Sequence, residues 1–90
     1  MLLAPFDLAG ARLAVESLLE RLDLDAFIFA VEHTPRGWEL RVECAIEGGW
    51  QAKTILLGEE LPGPGPEDAP LRERLVNQLR DKLAACKRRT

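Results

Sequence analysis

Tyrosine is missing from this chain of 90 residues, histidine and methionine occur once each, and cysteine occurs twice. A zinc site made only of cysteine and histidine needs four such side chains, so three of them in one chain cannot complete it. Cys44 and Cys86 are most simply interpreted as small, buried, apolar side chains in a reducing compartment. They form a disulfide only if the fold brings them face to face, which the sequence alone does not decide.

Long apolar runs are also missing. The longest, residues 26–31, has six residues, whereas a helix needs about 20 to cross a bilayer. Residues 1–7 carry no basic side chain before their apolar stretch, which disfavours a secretory signal. We therefore expect a cytoplasmic protein without membrane contact, and this length fits a single domain over residues 1–90. Frequent Leu, Arg, Ala and Gly favour a bacterial source with a GC-rich genome.

The basic side chains are concentrated at one end of the chain. Residues 1–70 hold five basic and 13 acidic side chains, whereas residues 71–90 hold seven basic and two acidic ones. A basic C-terminal segment on an acidic domain is typical of nucleic-acid contact, of subunit pairing or of a solvated helix face.

Two amphipathic helices frame the chain. Asp7 is a good N-cap, and apolar residues at helical spacing predict a helix over roughly 8–22. Residues 58–66 alternate glycine and proline towards their end and predict a semi-rigid connector. Asp68 is placed to cap a second helix, and the basic residues 87–89 at its C-terminal end would suit the helix dipole.

Three strands are predicted between these helices. Residues 26–33 are rich in aromatic and β-branched types and lead into a Thr-Pro-Arg-Gly turn at 34–37. Residues 38–46 alternate apolar and polar types, which is the pattern of a strand with one buried face. A third strand follows the glycines of residues 48–49.

The expected registers follow from the side chains. The first hairpin pairs Val31 with Trp38. In the second hairpin a three-residue loop at 47–49 pairs Cys44 with Ala52 and Leu40 with Leu56. We prefer this loop to a two-residue glycine turn because it keeps Lys53 out of the core.

A two-layer α+β sandwich buries the apolar faces of these elements most simply. The order is α-β-β-β-α, with a three-stranded antiparallel meander and both helices on one face. In the expected register the open face presents Ile28, Arg41, Ile55 and Leu57, and it is more apolar than a solvated face needs. We therefore expect these four residues to form an interface, either in a homodimer or with a protein partner.

The stretch 38–46 and the loop 33–36 resemble the second strand and the groove-contacting loop of the double-stranded-RNA-binding domain family. The element order is similar as well, and the resemblance implies the same topology. Members of that family open their last helix with a lysine cluster, whereas residues 67–70 here read Glu-Asp-Ala-Pro. Because two carboxylates repel a phosphate backbone, we expect this topology without the family's binding motif.

Two further functions compete with an interaction module. A nucleic-acid-associated protein would use a basic patch on the last helix, formed by Arg72, Arg80, Lys87, Arg88 and Arg89. The acidic domain and the lack of interleaved aromatic residues disfavour nucleic acid as a partner. A small enzyme would have its site near His33, which Cys44, deep in the second strand, is not expected to reach. No cofactor, metal or catalytic residue is predicted.

Overall fold

The computed structural model of the protein describes residues 7–89. The elements follow the order α1 (Leu8–Glu20), β1 (Phe27–Thr34), β2 (Gly37–Ile46), β3 (Gly49–Gly58), a short 3-10 helix (Pro66–Asp68) and α2 (Ala69–Lys82). The strands form one open antiparallel sheet in the order β1-β2-β3. The predicted α-β-β-β-α fold of the α+β class is confirmed.

One apolar core lies between the helices and one face of the sheet. The helices contribute Ala11, Val15, Leu18, Leu19, Leu75, Val76 and Leu79, and the sheet contributes Val31, Trp38, Leu40, Val42, Cys44, Ile55 and Leu57. Alternate residues along β2 are buried and the residues between them are more exposed. Since successive strand residues point to opposite faces, both helices cover the same face and the other face stays open.

A local sequence signal accounts for the start of α1. The Oδ1 atom of Asp7 accepts a hydrogen bond from the Gly10 N–H at 2.7 Å, so the predicted N-cap is present. The helix ends at Glu20, about two residues before the predicted end, and Asp23 follows in the left-handed region at φ 55°.

Among the described residues, no helix has the length and apolar character needed to cross a membrane.

An exposed ion pair joins the end of α1 to α2. The Nη1 atom of Arg21 lies 2.7 Å from Oε2 of Glu73, and the hydrogen bond and charge of Arg21 lower the pKa of Glu73 below its usual value of 4.5. The pair contributes to stability above pH 4.5, and this contribution is lost as the pH falls through the lowered pKa of the folded state. A carboxyl NMR titration should show a Glu73 midpoint below 4.5 that rises in Arg21→Gln. An unchanged midpoint in that variant would contradict the pairing.

The first hairpin is shifted by two residues from the expected register. Val31 pairs with Leu40 and His33 with Trp38, so the predicted pairing of Val31 with Trp38 is wrong. An even shift preserves the face of every side chain, and the same apolar set remains inside. Gly37 makes this turn possible, because its φ is 114° and a Cβ there would lie 2.6 Å from the backbone of Gly58.

The second hairpin is shifted by one residue, which reverses the faces of β3. The turn is the two-residue Glu47-Gly48 with Gly48 at φ 83°. Cys44 therefore pairs with Gln51 and Leu40 with Ile55, so the predicted three-residue loop and its pairing are wrong. A one-residue shift moves every side chain of the strand to the opposite face.

The energetics of β3 explain why the observed register is stable. Ile55 and Leu57 are buried, and burial of each side chain stabilises the fold by about 1.5–3 kcal/mol. Lys53 shares their face and is only half-buried in an edge strand, where its aliphatic stem can lie on apolar surface while the ammonium group reaches water. The burial of Ile55 and Leu57 therefore outweighs the cost of placing Lys53 on the inner face.

A disulfide joins Cys44 of β2 to Cys86 beyond α2, with 5.6 Å between the Cα atoms. Both residues are buried as expected, and the fold brings them face to face, which the sequence alone left undecided. The helix ends at Lys82, and the chain then turns so that the Lys87 N–H donates to Ala45 O at 2.7 Å. The predicted placement of residues 87–89 on the helix is therefore wrong, because tertiary contacts direct this segment away from the helix axis.

The connector between β3 and the 3-10 helix is held by side chains of the segment that follows it. Oδ2 of Asp68 accepts from the Gly63 N–H at 2.7 Å, and Nη1 of Arg72 donates to the carbonyls of Gly63 and Gly65. The predicted capping role of Asp68 is wrong in its detail, since its carboxylate makes no cap hydrogen bond to α2 and binds the connector.

Candidate interaction surface

One face of the sheet is covered by neither of the described helices. We call it the outer face and define it by the residues that point away from the helices, which are Ile28, Ala30 and Glu32 in β1, Glu39, Arg41, Glu43 and Ala45 in β2, and Trp50, Ala52, Thr54 and Leu56 in β3. Six of these are apolar, so the face differs from an ordinary solvated sheet surface.

Large apolar side chains on the outer face are open to solvent. Ile28 and Trp50 are each 62% exposed, and Leu56 is 39% exposed. Ile28 lies across from Glu43, which lies across from Ala52, and Trp50 pairs with Ala45 in the adjacent row. Trp50 and Ile28 therefore stand at the same end of the face, with Ala45, Ala52 and the charged Glu43 between them. We call this end the apolar end, although it includes one carboxylate.

Charged groups of both signs lie beside this apolar end. Arg41 lies next to Glu43 along β2, with 3.8 Å between Nε and Oε2, and both side chains are exposed. Glu32 and Glu39 pair directly across β1 and β2, an arrangement of like charges that is unfavourable in an isolated sheet. Arg41 is the only cation on the outer face, and it stands between the apolar end and the Glu32–Glu39 pair.

The four residues predicted to form an interface do not share one face. Ile28 and Arg41 lie on the outer face as predicted, whereas Ile55 and Leu57 are 3% and 6% exposed and belong to the core. Their placement on the open face is wrong because of the one-residue shift of β3. Trp50 and Leu56 take their places, and sequence reasoning missed both. The signal for the shift was Gly48, since glycine is favoured at the second position of a two-residue turn.

The predicted basic patch is not a continuous feature of α2. Arg72 binds connector carbonyls, and Nη1 of Arg80 donates to Asn77 Oδ1 at 3.0 Å on the same helix. Arg88 pairs with Leu24 as an isolated bridge, and Nη2 of Arg89 lies 3.9 Å from Asp23. Of the five residues, only Arg72 and Arg80 lie on α2, while the others follow the extended segment beyond it.

The region around His33 contains no assembled catalytic site among residues 7–89. His33 is exposed at the end of β1, 3.8 Å from a Glu59 carboxylate oxygen, and its ring stands 4.6 Å from the Trp38 ring. Cys44 is held in the disulfide, so it offers no thiol nucleophile. The described residues contain no cluster of three His, Cys, Asp or Glu side chains suited to a metal ion.

Comparison of the chain with protein-family models, curated proteins and solved structures found no match. The resemblance to the double-stranded-RNA-binding domain family rests on the order of the elements, the stretch 38–46 and the loop 33–36.

Proposed function

We propose that this domain is a small interaction module that self-associates through the outer face of its sheet. The observation that carries the proposal is the exposure of Trp50 and Ile28 at one end of the outer face, which the helices leave uncovered. Tryptophan is among the residues most enriched at the energetic centres of interfaces, and exposed apolar patches mark interaction sites.

The charges of the outer face support a second copy of the chain as the partner. In a two-fold symmetric interface each contact occurs twice, so a surface must complement itself. Arg41 is flanked along β2 by Glu39 and Glu43. Two copies of β2 can stack face to face and antiparallel, with the two-fold axis passing between Arg41 and one of these glutamates. Each arginine then lies against a glutamate of the other copy. With the axis between Arg41 and Glu39, this contact would also offset the repulsion between Glu32 and Glu39.

Light scattering over a concentration series at physiological salt tests the proposal. We expect a dimer at high concentration whose dissociation constant rises by about 30-fold or more in Trp50→Glu, the effect of losing about 2 kcal/mol from an interface centre. Leu8→Glu is the matched control, because Leu8 is 56% exposed on α1, far from the sheet's outer face in the fold. A charge at Ile55 is unsuitable here because it would report on folding.

Each alternative outcome has a definite meaning. A wild-type monomer at all concentrations would rule out self-association, and the outer face would then need a different protein partner. A dimer that survives Trp50→Glu but dissociates in Leu8→Glu would place the interface on α1. Retention on heparin at low salt that is lost in Arg88→Gln would favour the nucleic-acid alternative.

The cytoplasmic location is part of this proposal, and the disulfide provides its test. Stable disulfides are typical of oxidising compartments and rare in the cytosol. The oxidation state of Cys44 and Cys86 in cells of the source organism, fixed by rapid alkylation, should be reduced if the protein works in the cytoplasm. A fully oxidised pair would contradict that location.

A further inference from the structure

A groove separates α1 from the connector on the side of the molecule away from the outer face. It encloses about 380 Å³, a volume within the range of small-molecule sites. Its helix wall is formed by Gly10, Leu13, Ala14 and Ser17, its opposite wall by residues 62–64, and Arg72 lies along it.

The groove is a consequence of small residues on one stripe of α1. Gly10, Ala14 and Ser17 follow one another at helical spacing, and none has a side chain large enough to fill the space above the core. Leu13 stands at the rim and is 67% exposed. The lining is apolar except for Ser17 and Arg72, so the groove offers aliphatic contact along its length.

The wall opposite α1 is fixed by hydrogen bonds and does not depend on a ligand. Gly63 is held through its N–H by Asp68 and through its carbonyl by Arg72, and Gly65 O accepts from the same arginine at 2.9 Å. Proline at positions 62 and 64 restricts the backbone further. A binding site preformed in this way avoids the entropic cost of ordering a loop.

Among the described residues, Arg72 is the one cation that lines the groove, and it retains unused donors. Its two hydrogen bonds both come from Nη1, and a guanidinium group has five N–H donors. Neither Nε nor Nη2 donates to another described residue, and no described carboxylate lies within salt-bridge distance of Arg72. The carboxylate of Asp68, one helical turn earlier, is bonded to the connector. The half-buried guanidinium of Arg72 therefore keeps unused N–H donors beside an apolar cavity.

We propose that this groove binds a small apolar carboxylate of the medium-chain alkanoate class. The carboxylate group accepts from the free donors of Arg72, a geometry that guanidinium groups favour. The alkyl chain lies along Leu13, Ala14 and Leu18 towards Gly10. The proposal is independent of self-association, since it uses a different surface.

Titration of the full-length protein with sodium octanoate, followed by two-dimensional amide NMR, tests the proposal. We expect saturable shifts at Leu13, Ala14, Ser17 and Gly63, with a dissociation constant on the order of 1 mM or tighter for a ligand of this size. Octan-1-ol and octylamine keep the chain without the negative charge, and acetate keeps the charge without the chain. Each of these should bind at least about tenfold more weakly, the effect of about 1.4 kcal/mol.

Two variants locate the site. Arg72→Met should weaken octanoate binding about tenfold or more, whereas Arg74→Met, which removes an exposed charge from the same helix, should not. Because Arg72 also holds the connector, Ser17→Phe provides a second variant that fills the groove and keeps the arginine. Dispersed amide spectra establish that each variant is folded.

Three results would overturn the proposal. Equal binding of octan-1-ol and octanoate would remove the role of the charge, and unchanged affinity in Ser17→Phe would place the ligand elsewhere. Binding of a short peptide through its C-terminal carboxylate, with no binding of octanoate, would make the groove a peptide site.

Discussion

Replacing both Cys44 and Cys86 with alanine should lower the free energy of unfolding by about 3–4 kcal/mol, because the disulfide closes a long loop in the unfolded chain. The two residues are 42 positions apart, and the loop includes the connector and all of α2. A domain of this size is stable by only about 5–13 kcal/mol. We expect the melting temperature, followed by circular dichroism, to fall by at least about 12 °C.

The disulfide prediction has a simple internal control. Reduction of the wild type should lower its melting temperature almost to that of the double variant, and the double variant should not respond to the reductant. Each single alanine variant should lose about as much stability as the double one, since the bond is lost in each case. A wild type that melts at the same temperature with and without reductant would contradict the structural role of the bond.

The second large effect is a contrast between neighbouring residues of β3. Ile55→Lys should unfold the domain or cost at least about 3 kcal/mol, because it places an unpaired charge among buried apolar groups. Leu56→Lys should change stability by no more than about 0.5 kcal/mol, since position 56 faces solvent. There the new ammonium group would lie across from Glu39. Chemical denaturation of both variants measures the difference directly.

This contrast tests the register of the second hairpin. If β3 were paired through a three-residue loop, Leu56 would be inside and Ile55 outside, and the two costs would be exchanged. Equal costs would mean that neither face of β3 is well covered. Only a large loss at Ile55 with a small one at Leu56 agrees with the two-residue Glu47-Gly48 turn.

The predictions that succeeded depend on contacts between residues close in sequence. The N-cap at Asp7, the strand over 38–46 and the element order follow from local propensity and from the period of the apolar pattern. A pattern of period two also fixes which residues of β2 point inwards, whatever the neighbouring strands do.

The register of β3 failed for a physical reason that extends beyond the strand. The expected register was chosen to avoid the free-energy cost of an inward Lys53. It did not count the stabilisation gained when Ile55 and Leu57 are buried beneath the helices. The actual cost was small, because Lys53 lies in an edge strand and stays half-exposed. The helices cover Ile55 and Leu57 more completely than Lys53. The gain from burying the first two therefore outweighs the cost of the lysine, and this difference in coverage is set by tertiary packing. The predicted interface lost two of its four residues as a result.

The sequence by itself determined the helices, the three strands and the open antiparallel sheet, because these follow from apolar periodicity and turn residues within short segments. Only the tertiary structure decided the disulfide, the course of residues 86–89 and the outward position of Trp50. Each of these depends on bringing together segments far apart in the chain, such as Ala45 with Lys87. The groove beside Arg72 also depends on tertiary contacts, since it exists only where the connector lies against α1.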